Sequence, residues 1–430
     1  MDKQALELNT IIQEKNAVVY ELLSEQGKMA FFPKCGILSQ AAQANGKKIN
    51  ATMGIATEDD GSPMRLDCLT TNIGLSPEKI FLYAPSFGKS DIRAKWQEFI
   101  YNKNPSLNNK TISLPVVTNA LTHGLSIIGQ MFFNKKDEVI ISNLYWENYD
   151  LVFEQPFGVK FDLYSAFKGS GLDILSFEKK MINKSNEKKI VLLNFPNNPT
   201  GYTPTIEEAK AIIRIIKESA EMGNKLIVIL DDAYFGLVYE KNIYKESLFT
   251  ELADLHQNVL AVKVDGATKE DYAWGFRIGF ITYGIKGGDS DLYAALEAKT
   301  AGLIRGSISS ASNVAQSLLM NAYANPKYIE QKQRKYETLK SRYQVVVNIL
   351  EEHKEYSKYF KPLPFNSGYF MCVELVDVDC EELRKLLLTE YSTGVICFGG
   401  VIRLAFSAIQ KELIPELFEN LYDACKKLAS

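Results

Sequence analysis

Histidine, cysteine and long apolar runs are all scarce in this chain, and each scarcity argues against a class of protein. Three histidines in 430 residues, His123, His256 and His353, share no helical or metal-ligand spacing, so no metal site is expected. Six cysteines (Cys35, Cys68, Cys372, Cys380, Cys397 and Cys425) contain no Cys-x-x-Cys pair and read as reduced thiols of a cytoplasmic protein. The longest apolar runs, such as Leu226-Ile-Val-Ile-Leu230, fall far short of the roughly 20 residues that a membrane span needs. The opening Met1-Asp-Lys-Gln-Ala-Leu-Glu7 has no apolar core of the signal-peptide kind. Positive charge is not in excess either: 49 basic against 52 acidic residues argues against a nucleic-acid or anionic-membrane surface. No internal repeat, low-complexity tract or Pro/Gly/Ser-rich linker interrupts the chain.

Two nucleotide-binding signatures are missing as well. Gly88-Lys89-Ser90 resembles the end of a P-loop, but the first glycine would fall at Tyr83. No Gly-x-Gly-x-x-Gly stands at a strand-to-helix junction. What the chain does contain is 46% hydrophobic and 23% charged residues, enough for a sizeable core in two or three domains or one large α/β unit.

The middle of the chain alternates short β-rich runs with helical patterns, the signature of a mostly parallel sheet with crossover helices. Candidate strands are 113–117, 138–142, 189–195, 226–230, 259–264 and 277–283. Several are continuously apolar, as in sheets covered on both faces. Between two of them, 205–222 spaces Ala209, Ile212, Ile213, Ile216 and Ala220 as a helix does. A long amphipathic helix follows at 328–353, then strands at 369–375 and 401–406 with helices near 380–391 and 411–428. The first sixty residues, helical to about Glu25 and then irregular, are expected to pack with that tail. The expected organisation is a large α/β domain at 64–329 and a smaller, discontinuous α+β domain made of 1–63 and 330–430.

Four segments after strands carry chemistry. Asn194-Phe-Pro-Asn-Asn-Pro-Thr-Gly201 is by itself a good turn sequence. Asp231-Asp232-Ala233-Tyr234 follows a buried strand; an acid there can simply cap a helix, yet ligands of open α/β sheets bind beyond such strand ends. Gly266-Ala-Thr-Lys269 follows the next strand, with Arg277 eight residues on, and a lone loop lysine is usually just solvated. Arg403 sits inside the apolar strand Val401-Ile-Arg-Leu-Ala-Phe406, where a charge costs several kcal/mol unless it is paired.

Asn198, Asp231, Lys269, Arg277 and Arg403, in that order and spacing, resemble the pyridoxal-phosphate aminotransferases of fold type I. The resemblance runs from about Asn50 to the C-terminal helix and implies a large domain with a mostly parallel, seven-stranded type of sheet. It implies pyridoxal 5'-phosphate as cofactor, because that electron sink must be bound covalently, protonated on its ring and held by its phosphate. By resemblance Lys269 forms the Schiff base and then moves the proton from Cα, a task suited to a lysine whose pKa falls when desolvated. Asp231 would pair with the ring nitrogen, and its neighbour Asp232 should point elsewhere. Asn198 and Tyr234 would bond the phenolic oxygen, and Arg277 the phosphate. Thr122, with the backbone of Ala120 and Leu121, would complete a phosphate cup at a helix N-terminus. Trp146 is the candidate for stacking on the ring. Tyr83 resembles the tyrosine that reaches the neighbouring subunit's phosphate, which implies a homodimer with shared sites. Two positions depart from the pattern: Gly266 and Ala120 stand where the family carries hydroxyl donors.

On the substrate side, Arg403 matches the arginine that grips the α-carboxylate of an amino or keto acid. The stretches around Arg305 and Gly54 resemble the aspartate and aromatic branch, in which the first supplies a distal-carboxylate arginine from the partner subunit. The implied activity is transfer of an amino group from aspartate, glutamate or aromatic amino acids to 2-oxoglutarate. A fold-type-I lyase or decarboxylase is the alternative that the same cofactor residues allow. A regulator built on such a domain would need an added DNA-binding region, and no basic helix-turn-helix precedes the matching stretch.

Overall fold

The computed structural model describes residues 2–15, 17–23, 28–29, 37–70 and 74–429. Seven strands form the large sheet: β1 (Val116–Asn119), β2 (Glu138–Ser142), β3 (Lys160–Tyr164), β4 (Lys188–Asn194), β5 (Lys225–Asp231), β6 (Val259–Asp265) and β7 (Ile278–Gly284). They lie in the order β1-β7-β6-β5-β4-β2-β3. Only β7 runs antiparallel to its neighbours. The three central strands β4, β5 and β6 are buried along nearly their whole length, which is why each reads as an unbroken apolar run.

Two strands differ from the sequence reading. The first begins at Val116 rather than at 113, because Pro115 has no N–H to give a ladder. Strand β3 was not anticipated at all. It is the sheet's edge, and in Lys160-Phe-Asp-Leu-Tyr164 only Tyr164 is buried, so no apolar run marks it.

The helices that position the site are α1 (Ser90–Lys103), α2 (Ala120–Phe132), α3 (Ile206–Glu221), α4 (Ser290–Ser307), α5 (Asn313–Tyr323) and α6 (Tyr328–Glu352). Helix α3 starts at a capping box, Thr205 accepting from the Glu208 N–H and Glu208 from the Thr205 N–H. Beyond α6 a four-stranded antiparallel sheet joins Phe360–Pro362, Met371–Leu375, Val401–Leu404 and Ile396–Phe398 in that spatial order. It packs with helices Cys380–Glu390 and Ile414–Leu428 as the smaller C-terminal sheet domain.

The N-terminal segment is stitched to that region by backbone and side chain. Ile49–Asn50 pairs in parallel with Thr393–Gly394. Arg342, a fully buried residue on α6, donates to the Ser407 carbonyl at 2.6 Å and to Asp59 at 2.8 Å. The stretch read as irregular contains the helix Ile37–Gln43, while residues 31–36 lie outside the described ones.

One cysteine expectation is overturned. Cys380 and Cys397 are joined as a disulfide with Cα atoms 5.9 Å apart, because the start of one helix lies beside the edge strand Ile396–Phe398. Their separation of 17 residues carries no motif that announces the pairing. Cys68, Cys372 and Cys425 are free and buried, and Cys35 lies outside the described residues. Among the described residues no helix is long and apolar enough to cross a membrane.

Candidate active site

Strand register assembles the site. Asn194 and Asp231 are direct partners at the carboxyl ends of β4 and β5, and Asp231 pairs with Val264 on β6, whose following turn carries Lys269. Asn194 donates its amide to the Asp231 carbonyl at 2.8 Å and accepts from the Asn198 N–H at 2.8 Å. That folds the Asn194–Gly201 loop back over the strand ends. The loop's last residue shows that its turn chemistry serves the site as well. Gly201 has φ +70°, and a Cβ there would stand 1.9 Å from the Phe370 carbonyl oxygen, so only glycine lets the loop close onto the small sheet domain.

Asp231 is buried. Its Oδ2 accepts from the Tyr149 hydroxyl at 2.6 Å and its Oδ1 from the Ala233 N–H at 3.1 Å. Burial pushes its pKa up, opposed by the Tyr149 bond and the nearby Lys269 cation. Asp232 faces the other way, as alternation along a strand requires, and pairs with buried Lys263 and the Ser247 hydroxyl. Lys269 lies in the short helix Ala267–Glu270, its amine 5.0 Å from the centre of the Tyr234 ring. Desolvation lowers its pKa from 10.5 to about 8; Arg277 adds to that fall and Asp231 resists it.

At the other end of the cleft, helix α2 starts at Ala120, which is held at φ 63° while the Thr118 hydroxyl donates to its carbonyl at 2.9 Å. The start of α2 rests on β7 so closely that a Cβ on Gly279 would be 2.7 Å from the Ala120 carbonyl carbon. The departure at Gly266 has the same origin. A Cβ there would meet the Ile278 oxygen at 2.6 Å and the Gly279 Cα at 2.7 Å, so a serine does not fit. Arg277, also left-handed at φ 54°, opens into the cleft from the start of β7. His123 braces this corner: its Nδ1 accepts from the Asn119 N–H at 3.1 Å, and its Nε2 meets the Ser307 hydroxyl at 3.1 Å.

Arg403 closes the opposite wall. It is 3% exposed and lies 4.4 Å from the centre of the Phe370 ring. Its two terminal nitrogens donate to neutral oxygens, those of the Asn198 side chain and the Thr52 carbonyl, each at 3.1 Å. Its buried Nε has no hydrogen-bond partner. The bonds between Arg403, Asn198, Asn194 and Asp231 thus run unbroken from this wall to the β5 end.

The cleft these groups share measures about 1130 Å³ to its open mouth. Lys269, Asp231, Tyr234, Asn198, Arg277, Trp146, Ala120, Leu121, Thr122, Gly54 and Arg403 all line it. Tyr83 and Arg305 do not. Tyr83 is 90% exposed, and Arg305 is an exposed residue that donates to Ser309 at 2.7 Å. Their segments adjoin, since the Ser86 hydroxyl donates to the Ser309 carbonyl at 2.8 Å.

Sequence reading missed Asn194, Tyr149, Thr52, Phe370 and Trp274, which line the same cleft. Asn194 ends a strand inside a motif already singled out, and Tyr149 stands three residues after Trp146, one helical turn on. Those two carry a usable signal. Thr52, Phe370 and Trp274 carry none.

The fold as a whole is that of known aminotransferases. An Anaerococcus prevotii aminotransferase superposes with a TM-score of 0.82 at 23% identity, covering 94% of this chain and 98% of that one. A Pyrococcus horikoshii kynurenine aminotransferase in complex with PMP gives 0.77 at 16%, covering 95% and 98%. By sequence, an aspartate aminotransferase of Bacillus sp. (strain YM-2) is 27% identical over 312 residues, 70% of this chain and 73% of that protein. The chain belongs to the aminotransferase class I and II family, whose model matches residues 47–421. It is therefore a transferase of amino groups in a family that depends on pyridoxal phosphate.

The cleft suits that cofactor in its donor chemistry. An amine of lowered pKa, a buried carboxylate, a helix N-terminus and an arginine face one space, and glycines at 266 and 279 let backbone approach where a side chain would block it.

Proposed function

We propose that this chain catalyses amino-group exchange between an amino acid and a 2-keto acid, with Lys269 as the residue that binds the cofactor and moves the substrate proton. The observation that carries this reading is the convergence of Lys269, lowered to about 8, with Asp231, Arg277 and Arg403 in one cleft. Pyridoxal phosphate, when bound, supplies the electron sink that lets a Cα–H bond ionise.

The chain's own groups divide the remaining work. Near neutral pH a useful fraction of Lys269 is uncharged, so its Nζ can take the proton from the substrate Cα and later return one. Asp231, kept dry and bonded by Tyr149, would hold a proton on the cofactor's ring nitrogen. Asn198 and Tyr234 would bond the phenolic oxygen. Arg277 and the α2 start, with Thr122, Ala120 and Leu121, would take the phosphate, and Trp146 would stack on the ring. Arg403 takes the α-carboxylate; its unpartnered Nε and its fixed place over Phe370 leave it pre-oriented rather than free to search. Thr52, Met53 and Gly54 border the same wall.

The substrates we assign are aspartate, glutamate or aromatic amino acids with 2-oxoglutarate, with Arg305 reading a distal carboxylate from across a homodimer. Ile80, Phe81, Leu82 and Tyr83 support the dimer, because at 37, 79, 62 and 90% exposure they form an apolar strip that needs cover. We also assign a cytoplasmic location, and a division into a large domain, 64–329, and a small one built from 1–63 and 330–430. The pairing of Ile49–Asn50 with Thr393–Gly394 supports that division.

Lys269→Ala tests the core of the reading. Loaded with cofactor, the variant is expected to lack the visible band of the lysine-bound form and to lose essentially all transfer from aspartate to 2-oxoglutarate. Normal turnover in that variant would exclude Lys269. Release of pyruvate or ammonia by the wild type would instead favour elimination by a lyase, and release of carbon dioxide the decarboxylase.

A further inference from the structure

Two acids follow Lys269 directly, Glu270 and Asp271, and both are buried, at 4% and 1% exposure. No step of the proposed chemistry uses them. Buried carboxylates are costly unless they are answered, and three of these four oxygens are answered from three helices, Glu270 Oε1 alone having no hydrogen-bond partner among the described residues. Asp271 Oδ2 accepts from the Tyr323 hydroxyl at 2.9 Å, at the end of α5. Its Oδ1 accepts from the Tyr328 hydroxyl at 2.6 Å and from the Lys332 amine at 3.1 Å, both on the first turns of α6. Glu270 Oε2 accepts from Lys103, at the end of α1, at 2.6 Å and from Lys332 at 3.3 Å.

The turn held in this grip is not one the chain adopts freely. The helix of Lys269 is only four residues long, Ala267–Glu270, and Asp271 ends it. The next residue, Tyr272, is left-handed at φ 56°, and its N–H reaches back to the Lys269 carbonyl at 3.4 Å. A bulky residue in that region persists only where its surroundings over-determine it. Here the over-determining contacts are those of Asp271 and Glu270. Helix α6, the source of three of them, also leads into the sheet that carries Arg403.

We propose that Asp271, gripped by Tyr323, Tyr328 and Lys332, is a positioning residue that fixes the turn of Lys269 and so keeps the lysine amine in its dry place. The proposal rests on the reading of Lys269 as the cofactor-binding lysine. The charged and titratable groups around Lys269 are Asp231, Arg277 and Tyr234. Those around Asp271 are Lys332, Tyr323, Tyr328, Tyr272, Glu270 and Cys68, whose thiol is pushed up mainly by burial. Loosening the turn lets water reach Lys269, and a lysine lowered by desolvation then moves back toward its ordinary value.

The test is the pH dependence of the rate at which the cofactor-free protein gains its visible band on addition of pyridoxal phosphate, which reads the free Lys269 amine, in wild type against Asp271→Asn and Tyr328→Phe. Asp271→Asn keeps the shape and loses the charge; Tyr328→Phe keeps the ring and loses one donor, so it tests the same grip if the first variant fails to fold. The expected result is a midpoint raised by about half a pH unit or more in Asp271→Asn, and by less, in the same direction, in Tyr328→Phe. Midpoints equal to the wild type's in a folded variant, or a fall in melting temperature alone, overturn the proposal. A wild type that shows no lysine-bound band at all defeats the functional reading instead, so the two failures are told apart.

Discussion

Tyr149 and Lys269 show how single side chains set the chemistry of this cleft through burial. The Tyr149 hydroxyl donates to Asp231 at 2.6 Å, and that bond works against the burial that raises the carboxyl's pKa. A hydrogen bond to a charged group is worth about 1.5–3 kcal/mol, so Tyr149→Phe is expected to weaken cofactor affinity roughly 10- to 100-fold. Unchanged affinity in a band-monitored titration would remove Tyr149 from the site. Lys269 gives the opposite case, a residue kept at a cost to stability. Its pKa falls from 10.5 unfolded to about 8 folded, so between those values the unfolded chain binds more protons and stability rises with pH. Below about pH 8 the penalty is fully present. Lys269→Met should therefore stabilise the cofactor-free protein at pH 7 by on the order of 3 kcal/mol, read as a raised melting temperature, with the gap closing toward pH 10.5. A gap of fixed size across that range, or of opposite sign, would show that Lys269 is not desolvated. The residue types were legible in the sequence; the burial that gives them their properties was not, because it comes from strands far apart in the chain.

Close packing between elements accounts for one of the two positions at which the chain leaves its family's pattern, Gly266. Gly266 ends β6 against β7, where a Cβ would stand 2.6 Å from the Ile278 oxygen and 2.7 Å from the Gly279 Cα. Both are backbone atoms that cannot swing aside, and overpacking of this kind costs about 1–3 kcal/mol. Restoring the family hydroxyl by Gly266→Ser is thus expected to lower the melting temperature and leave cofactor affinity no better. A variant as stable as the wild type that binds more tightly would refute this account. The same contrast governs how well the elements can be read from sequence. Strands β4, β5 and β6 and helix α3 announce themselves through continuous apolar runs, or through 3.6-residue spacing after Thr205, because each is packed on its buried face. Strand β3 lies at an edge with one buried residue, and the Cys380–Cys397 pair joins a helix start to an edge strand 17 residues away. Neither leaves a local pattern. The Asn194–Gly201 loop is legible twice over, as a turn and as a site, because Gly201 is needed for both.

At the scale of the whole molecule, a net charge of −3 conceals a cleft whose cations, Lys269, Arg277 and Arg403, face inward, while Arg305 and Tyr83 lie on the outer surface. Tyr83 belongs to the exposed strip from Ile80 to Tyr83, and Arg305 is tied to Ser309, whose carbonyl accepts from Ser86 just beyond it, so a two-fold partner covering that strip would bring both residues to its own cleft and take the same from it. That arrangement has a consequence no single-chain variant can test. Two differently tagged forms, one carrying Lys269→Ala and the other Arg305→Leu, can be co-expressed and the mixed dimer purified. If Arg305 acts across the interface, the site built on the intact Lys269 borrows the intact Arg305 of the other chain. One of the two sites is then complete, and the mixed dimer is expected to show about half of wild-type turnover with aspartate. If Arg305 acts within its own chain, neither site is complete and the mixed dimer does no better than half the activity of the Arg305→Leu form. Recovery with aspartate would assign Arg305 to the partner's substrate, and failure to recover would leave the distal carboxylate to a residue within the same cleft.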